Sequence, residues 1–327
     1  MRKALVIGID FYSQIGCLSG CVKDAYSVKS VLERHEDGSK NFGVRLMTAE
    51  SDICPVTRNC VRDAVRDLFA DSSDIALLYF AGHGYIDEAG GYLCASDCTA
   101  GHDGLALSEI MSMANRSQAR NKIIILDSCH SGIAANHHTS PGLSEIQEGV
   151  TILTASTDEQ YALGGEAGGV FTNLFIDALN GAAANLLGDI TPGSVYAHID
   201  QSLWEWGQRP VFKTNVKSFI SLRKTSAPVP LQELRKLTDI FPSPSTRLSL
   251  DPSFEPERNA EQRNDPTFPE PNNKNTAMFA LLQKYAKINL VRPVGEEHMW
   301  HAAINSKSCE LTVLGIHYWN LVKKDLI

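Results

Sequence analysis

The chain of 327 residues has no apolar run of the length that crosses a bilayer. The short apolar stretch in MRKALVIGID closes at Asp10, and no small-residue cleavage site follows. A first strand is expected there, not an export signal. Positive charge is also lacking. A net charge of -8 argues against general binding to nucleic acid or to an anionic membrane. Cysteine is too sparse for a disulfide scaffold: eight residues are scattered over the chain. Without an export signal they point to free thiols in a reducing cytoplasm. No internal repeat and no EF-hand-like spacing of acids is found. A zinc site would have to use Cys17-x3-Cys21 and Cys94-x3-Cys98, which lack the usual knuckle spacing.

What remains is an ordinary soluble composition. Hydrophobic residues make up 43% of the chain, enough for a full core, and the length favours two domains. Ala4–Ile9 (ALVIGI), 74–80 (DIALLYF), 122–126 and 150–155 (VTILTA) are continuous apolar runs. Such runs predict strands buried on both faces. Short strands are expected at 44–47 and 91–95. Between the strands, residues 20–34 carry Val22, Ala25, Val28, Val31 and Leu32 at helical spacing. Thr57 is positioned to cap a second helix bearing Val61, Ala64, Val65 and Leu68. Further helices are expected at 107–114, 171–180 and 195–204. The alternation over 1–225 predicts an α/β domain, a mostly parallel sheet sandwiched by helices. Chemistry in such folds gathers where loops leave the carboxyl ends of strands.

Two strand ends are unusual. One apolar run breaks into Ala81-Gly82-His83-Gly84, the other into Asp127-Ser128-Cys129-His130. A cysteine peptidase needs a thiolate, a base within hydrogen-bond reach and backbone donors for an oxyanion. Cys129 and His83 supply the first two, and the N–H groups of Gly84 and Cys129 are candidates for the third. Taken singly, a buried cysteine is more often a small core filler. The pair at analogous strand ends is far more specific.

LYFAGHGY with LDSCHSG, preceded by ALVIGID and LSGCVKDA, resembles the caspase-like clan of cysteine peptidases, closest to its bacterial metacaspase-like branch, the orthocaspases. TILTASTDEQYALGGEAGGVFTNLFIDALNG and GQRPVF continue the resemblance, which covers about residues 1–222. It implies the caspase-hemoglobinase fold with His83 and Cys129 as the catalytic dyad. The pair before the cysteine is Asp127-Ser128 rather than Gln-Ala, and the residue two before the histidine is Ala81 rather than a small polar one. In metacaspases acids line the S1 pocket, and the matching acids here are Asp24 and Asp127. Two carboxylates suit a guanidinium or ammonium head. Alternatively, Asp24 is a helix N-terminal acid and Asp127 a strand-end cap. Ser156 and Gln160 are expected along the substrate groove, within a mobile loop that includes Gly164-Gly165 and Gly168-Gly169. No cofactor is called for. Calcium activates some metacaspases, so Asp97, Asp103 and Glu109 are noted as acids near the dyad. Between Lys122 and Arg209 the chain has no Lys or Arg. An enzyme that needs a basic P1 residue cannot cut itself in the loop after Cys129, so a single active chain is expected.

Residues 228–271 hold nine of the fourteen prolines. That density predicts a connector over 226–271, with one short helix at 231–241. Residues 272–327 form a small accessory domain with seven basic and four acidic residues. Its last helix is capped by Thr312; the unit has a winged-helix-like look, and residues 272–327 are expected either to receive an activating partner or to pack on the catalytic domain. The expected function is a cytoplasmic endopeptidase cleaving protein substrates after Arg or Lys, which the resemblance extends to regulated cell death or antiphage defence. A silent caspase-fold scaffold, an Asp-specific protease and a thioester-using ligase are the alternatives.

Overall fold

The computed structural model describes residues 1–128, 146–155, 169–203 and 210–327. These fall into two compact units, Met1–Ser226 and Ala227–Ile327.

The first unit is built on a six-stranded sheet: β1 (Arg2–Ile9), β2 (Gly43–Ala49), β3 (Ile75–Ala81), β7 (Asn121–Asp127), β8 (Val150–Thr154) and β10 (Val211–Asn215). Its order is β10-β8-β7-β3-β1-β2, and only β10 runs antiparallel to its neighbour. A small antiparallel sheet of β4 (Gly84–Asp87), β5 (Gly90–Leu93) and β6 (Leu105–Ala106) follows β3. Strands β9 (Asp189–Ile190) and β11 (Arg223–Lys224) pair separately. The helices are α1 (Cys21–Glu33), α2 (Arg58–Ala70), α3 (Leu107–Arg116), α4 (Val170–Asp177) and α5 (Pro192–Ser202).

Period-two alternation divides the strands between two cores. Leu5, Ile7, Ile9, Leu78, Phe80, Ile124 and Leu126 face α2 and α3. Ala4, Val6, Leu77, Tyr79, Ile123 and Ile125 face α1, α4 and α5. Burial on both faces explains why these strands read as unbroken apolar runs. Caps follow local chemistry. Thr57 accepts from the Cys60 N–H at the start of α2, and Thr191 and Ser194 form a reciprocal capping box ahead of Pro192 in α5. Gly8 is required by close approach: a Cβ there would lie 2.4 Å from the Cys21 carbonyl and 2.7 Å from Ala25 Cβ. Gly8→Ala should push α1 off the sheet and destabilise the unit by about 2–3 kcal/mol, read by denaturant unfolding.

The second unit contains α6 (Leu231–Leu234), α7 (Leu237–Ile240), β12 (Arg247–Ser249), α8 (Ala260–Asn264), α9 (Asn273–Lys287), β13 (Val291–Val294), α10 (Met299–Ile304), β14 (Ser308–Leu311) and α11 (Val313–Lys323). Its sheet is β12-β14-β13, all antiparallel. The expected connector over 226–271 therefore does not stand apart. It contributes β12 to this sheet and buries Leu234, Leu237, Phe241, Leu250 and Phe254. Proline is accommodated because the elements are only three to five residues long and Pro252 starts a single 3-10 turn. Thr312 caps α11 by accepting from the Gly315 N–H. The buried residues of that helix are Gly315, Tyr318 and Trp319, while Leu314 is exposed. No helix among the described residues is long and apolar enough to cross a membrane.

Candidate active site

Strands β1, β3 and β7 end at the same edge of the sheet. Ala81 at the end of β3 pairs with Gly8 on one side and with Asp127 on the other. His83 follows Ala81 by two residues, and in the sequence Cys129 follows Asp127 by two. Adjacent parallel strands run about 5 Å apart. Cys129, Ser156 and Gln160 lie outside the described residues, so the site is built from its other members.

His83 is held on three sides by the loop that follows β1. Its Nε2 lies 2.8 Å from the Gly16 carbonyl oxygen. A carbonyl only accepts, so Nε2 carries the proton. In the neutral ring Nδ1 is then the base. The Tyr12 hydroxyl accepts from the His83 backbone N–H at 2.8 Å, and the Tyr12 ring packs on the imidazole with centroids 4.8 Å apart. Gly82 permits this approach, since a Cβ there would sit 2.6 Å from the Tyr12 hydroxyl. Sequence reasoning missed both Tyr12 and Gly16. Gly16 acts through a backbone carbonyl, which leaves no mark in residue type. The spacing of Tyr12 just past a strand end was the available signal. Tyr12→Phe should slow turnover about tenfold by loosening the His83 backbone, with an altered pH profile as the readout that separates positioning from folding.

Gly84 opens β4 opposite Leu93. The Cys94 N–H donates to the His83 carbonyl at 2.9 Å, which makes Gly84–Leu93 a pair without mutual hydrogen bonds. The Gly84 N–H is thus turned away from β5, as an oxyanion donor must be.

The acids Asp24 and Asp127 come together. Asp24 sits in the first turn of α1 and is 5% exposed. It does not cap its own helix. Asp10 does, accepting from Cys21 N–H at 2.9 Å and Val22 N–H at 3.3 Å. The Asp24 carboxylate instead accepts from the Gly169 N–H at 2.9 Å. Asp127 accepts from the Thr172 hydroxyl at 2.6 Å. An atom added at Gly169 as Cβ would lie 2.5 Å from Asp127 Oδ2 and 3.4 Å from Asp24 Oδ2, so the two carboxylates border one small space. Burial raises the pKa of Asp127 to about 6, with the nearby Asp24 adding to the rise. Burial also raises Asp24, against the Gly169 N–H, and raises the neighbouring Cys21 thiol. No salt bridge neutralises either acid among the described residues.

The acids noted for calcium do not converge. Asp97 accepts from the Arg58 N–H, Asp103 binds the Thr99 hydroxyl and Cys98 thiol, and Glu109 pairs with Arg62. No group of three metal-binding side chains forms among the described residues. The seven described cysteines are free thiols, and the buried Cys98 thiol donates to Asp103.

Residues 1–221 match the family model described as the caspase domain. The chain belongs to the caspase-domain family. Among curated proteins, this caspase domain is 31% identical to Metacaspase-6 of Arabidopsis thaliana over 144 residues, covering 40% of this chain and 38% of that one. It is 31% identical to Metacaspase-1 of Pyricularia oryzae over 197 residues, covering 53% and 48%. The chain thus spans less than half the length of these relatives. Among solved structures, it is similar to Caspase-1 of Spodoptera frugiperda with a TM-score of 0.51 at 13% identity, covering 69% of this chain and 91% of that one. A protein of Geobacter sulfurreducens gives 0.51 at 18% identity, covering 69% and 97%. These likenesses establish the caspase fold of the sheet described above.

Proposed function

We propose that this caspase domain is a cysteine endopeptidase that cleaves protein substrates after Arg or Lys. One observation carries the specificity: a buried carboxylate, Asp24, and a half-buried one, Asp127, border a single space, and neither is in a salt bridge among the described residues. A guanidinium or ammonium head entering there would complete the charge and satisfy the remaining lone pairs. An aspartate side chain would be repelled.

The chemistry follows from His83. Its Nδ1 takes the proton of the Cys129 thiol, and the thiolate attacks the scissile carbonyl. The oxyanion is met by backbone N–H groups, with Gly84 as one candidate donor. The imidazolium, steadied by Nε2–H on the Gly16 carbonyl, returns the proton to the leaving amine. Water then cleaves the thioester and restores the thiol. The resemblance extends this reading to regulated cell death or defence against phage.

The test is hydrolysis of fluorogenic peptides ending in Arg, Lys or Asp, with Cys129→Ala alongside and calcium added or chelated. Turnover of Arg or Lys peptides that vanishes in the variant supports the reading. Turnover of Asp peptides alone overturns the pocket, and none under any condition favours a scaffold. The active protein is expected as one intact chain. A mass spectrum showing cleavage between residues 133 and 149 would contradict the basic specificity.

A further inference from the structure

The acid pair is organised by one short stretch of chain, the first turn of α4. Gly169 is the N-cap of that helix, and its N–H donates to Asp24 Oδ2. Thr172, one turn on, donates its hydroxyl proton to Asp127 Oδ2. Thr172 is fully buried. The turn is fixed in place by Phe171 and Phe175, both buried in the core beneath.

The hydroxyls form a directed chain. The Thr172 oxygen is also 2.5 Å from the Tyr79 hydroxyl. The Thr172 proton is committed to the carboxylate, so Tyr79 must donate to Thr172. Two hydroxyl dipoles in series therefore point their positive ends at Asp127. A proton on Asp127 Oδ2 would turn the Thr172 proton away from the carboxylate and make Thr172 accept twice, from Asp127 and from the wholly buried Tyr79. Among the described residues, the other groups facing the carboxylate are acidic or neutral. Asp24 and Cys21 face it from α1, and Tyr79 from β3. Asp24 in turn feels Asp10 and, weakly, Lys23. Against this negative field stand the Thr172 hydroxyl and the positive end of α4.

Gly169 is present for room and not for backbone freedom. Its φ of -67° and ψ of 136° suit any residue. Among the described residues the carboxylates are what forbid a side chain, since a Cβ would meet Asp127 Oδ2 at 2.5 Å.

We propose that the first turn of α4 sets P1 selectivity: Thr172 keeps Asp127 in its charge-bearing form, and Gly169 keeps open the space between the acids that a basic head group fills. The inference rests on the proposed Arg or Lys specificity. Both residues act through the carboxylates and are positioning residues.

The test uses the full chain with Thr172→Val, Thr172→Ser, Tyr79→Phe and Gly169→Ala. The pH dependence of kcat/KM for an Arg peptide is recorded beside a carbon-13 titration of the Asp127 carboxyl. Thr172→Val should move both the acid limb and the titration up by about one pH unit, and Thr172→Ser should leave them in place. Tyr79→Phe should give a smaller move of the same sign, which keeps the relay testable if Thr172→Val fails to fold. Gly169→Ala should lower kcat/KM for Arg peptides about tenfold or more, mainly through KM. An unmoved titration in both Thr172→Val and Tyr79→Phe overturns the relay, and unchanged kcat/KM in Gly169→Ala overturns the spacing role. A wild-type chain that leaves Arg and Lys peptides intact defeats the proposed function instead, and the titration still decides the part played by Thr172.

Discussion

Replacing His83 with alanine should lower kcat/KM for Arg peptides by about three orders of magnitude while leaving the fold intact. The ring is only partly buried, and its one described polar contact is with the Gly16 carbonyl. A hydrogen bond of that kind contributes about 1 kcal/mol net to stability. The loss should therefore fall on chemistry. Without Nδ1 as an acceptor, Cys129 must ionise unaided, and no acid stands ready for the leaving amine. Iodoacetamide labelling should show the same thing without substrate, with alkylation of Cys129 in the variant confined to more alkaline pH. An undiminished kcat/KM in a well-folded His83→Ala variant would remove His83 from the mechanism.

Asp127→Asn should produce the second large effect, and with opposite signs on activity and stability. Asparagine keeps an acceptor for the Thr172 hydroxyl but removes the charge. Breaking a buried, hydrogen-bonded ion pair from one side costs about 3–5 kcal/mol, or about two to nearly four orders of magnitude in kcat/KM for Arg and Lys peptides. Stability should move the other way. The folded pKa of Asp127 is about 6, above the unfolded value of about 3.9. The folded state therefore holds the proton more tightly than the unfolded state. As pH rises from about 4 to about 6, ionising this group destabilises the fold, by about 3 kcal/mol once complete. Asp127→Asn escapes that penalty. It should melt higher than wild type above about pH 6, and the gain should fade below about pH 4. The same ionisation should appear as an acid limb near pH 6 in wild-type kcat/KM, because the basic substrate binds the charged form. A variant that is less active and also less stable at neutral pH would mean that Asp127 is a structural cap.

Much of this site was legible before the structure. β1, β3 and β7 carry apolar residues on both faces because helices cover both, so they stand out in the chain. His83 and Asp127 could be found because side-chain chemistry at a strand end is conspicuous. What escaped notice acts through backbone or through small, unremarkable residues: the Gly16 carbonyl, the Gly169 N–H and the Thr172 hydroxyl. Gly169 was expected in a loop, yet it caps α4, because glycine suggests freedom where here it supplies space. β10 was missed as a strand because VFKTN has only intermediate burial at a sheet edge. The proline-rich stretch was expected to connect, since proline density suppresses long elements. Nothing in that density forbids a three-residue strand such as β12.

The order of the sheet has a consequence for how the caspase domain could be divided. β7 and β8 are joined along the chain by residues 128–149 but are also direct parallel neighbours, paired from Lys122–Val150 to Leu126–Thr154. β10 adds to β8 from the far side. Residues 1–128 hold His83, Asp24 and Asp127, while Gly169 and Thr172 belong to the later part. Two polypeptides made separately on either side of that link would leave the proposed acid pair on one piece and its partners Gly169 and Thr172 on the other. Together they would share one sheet and two cores, so the domain is suited to fragment complementation, in which neither piece recognises a substrate until the other is present.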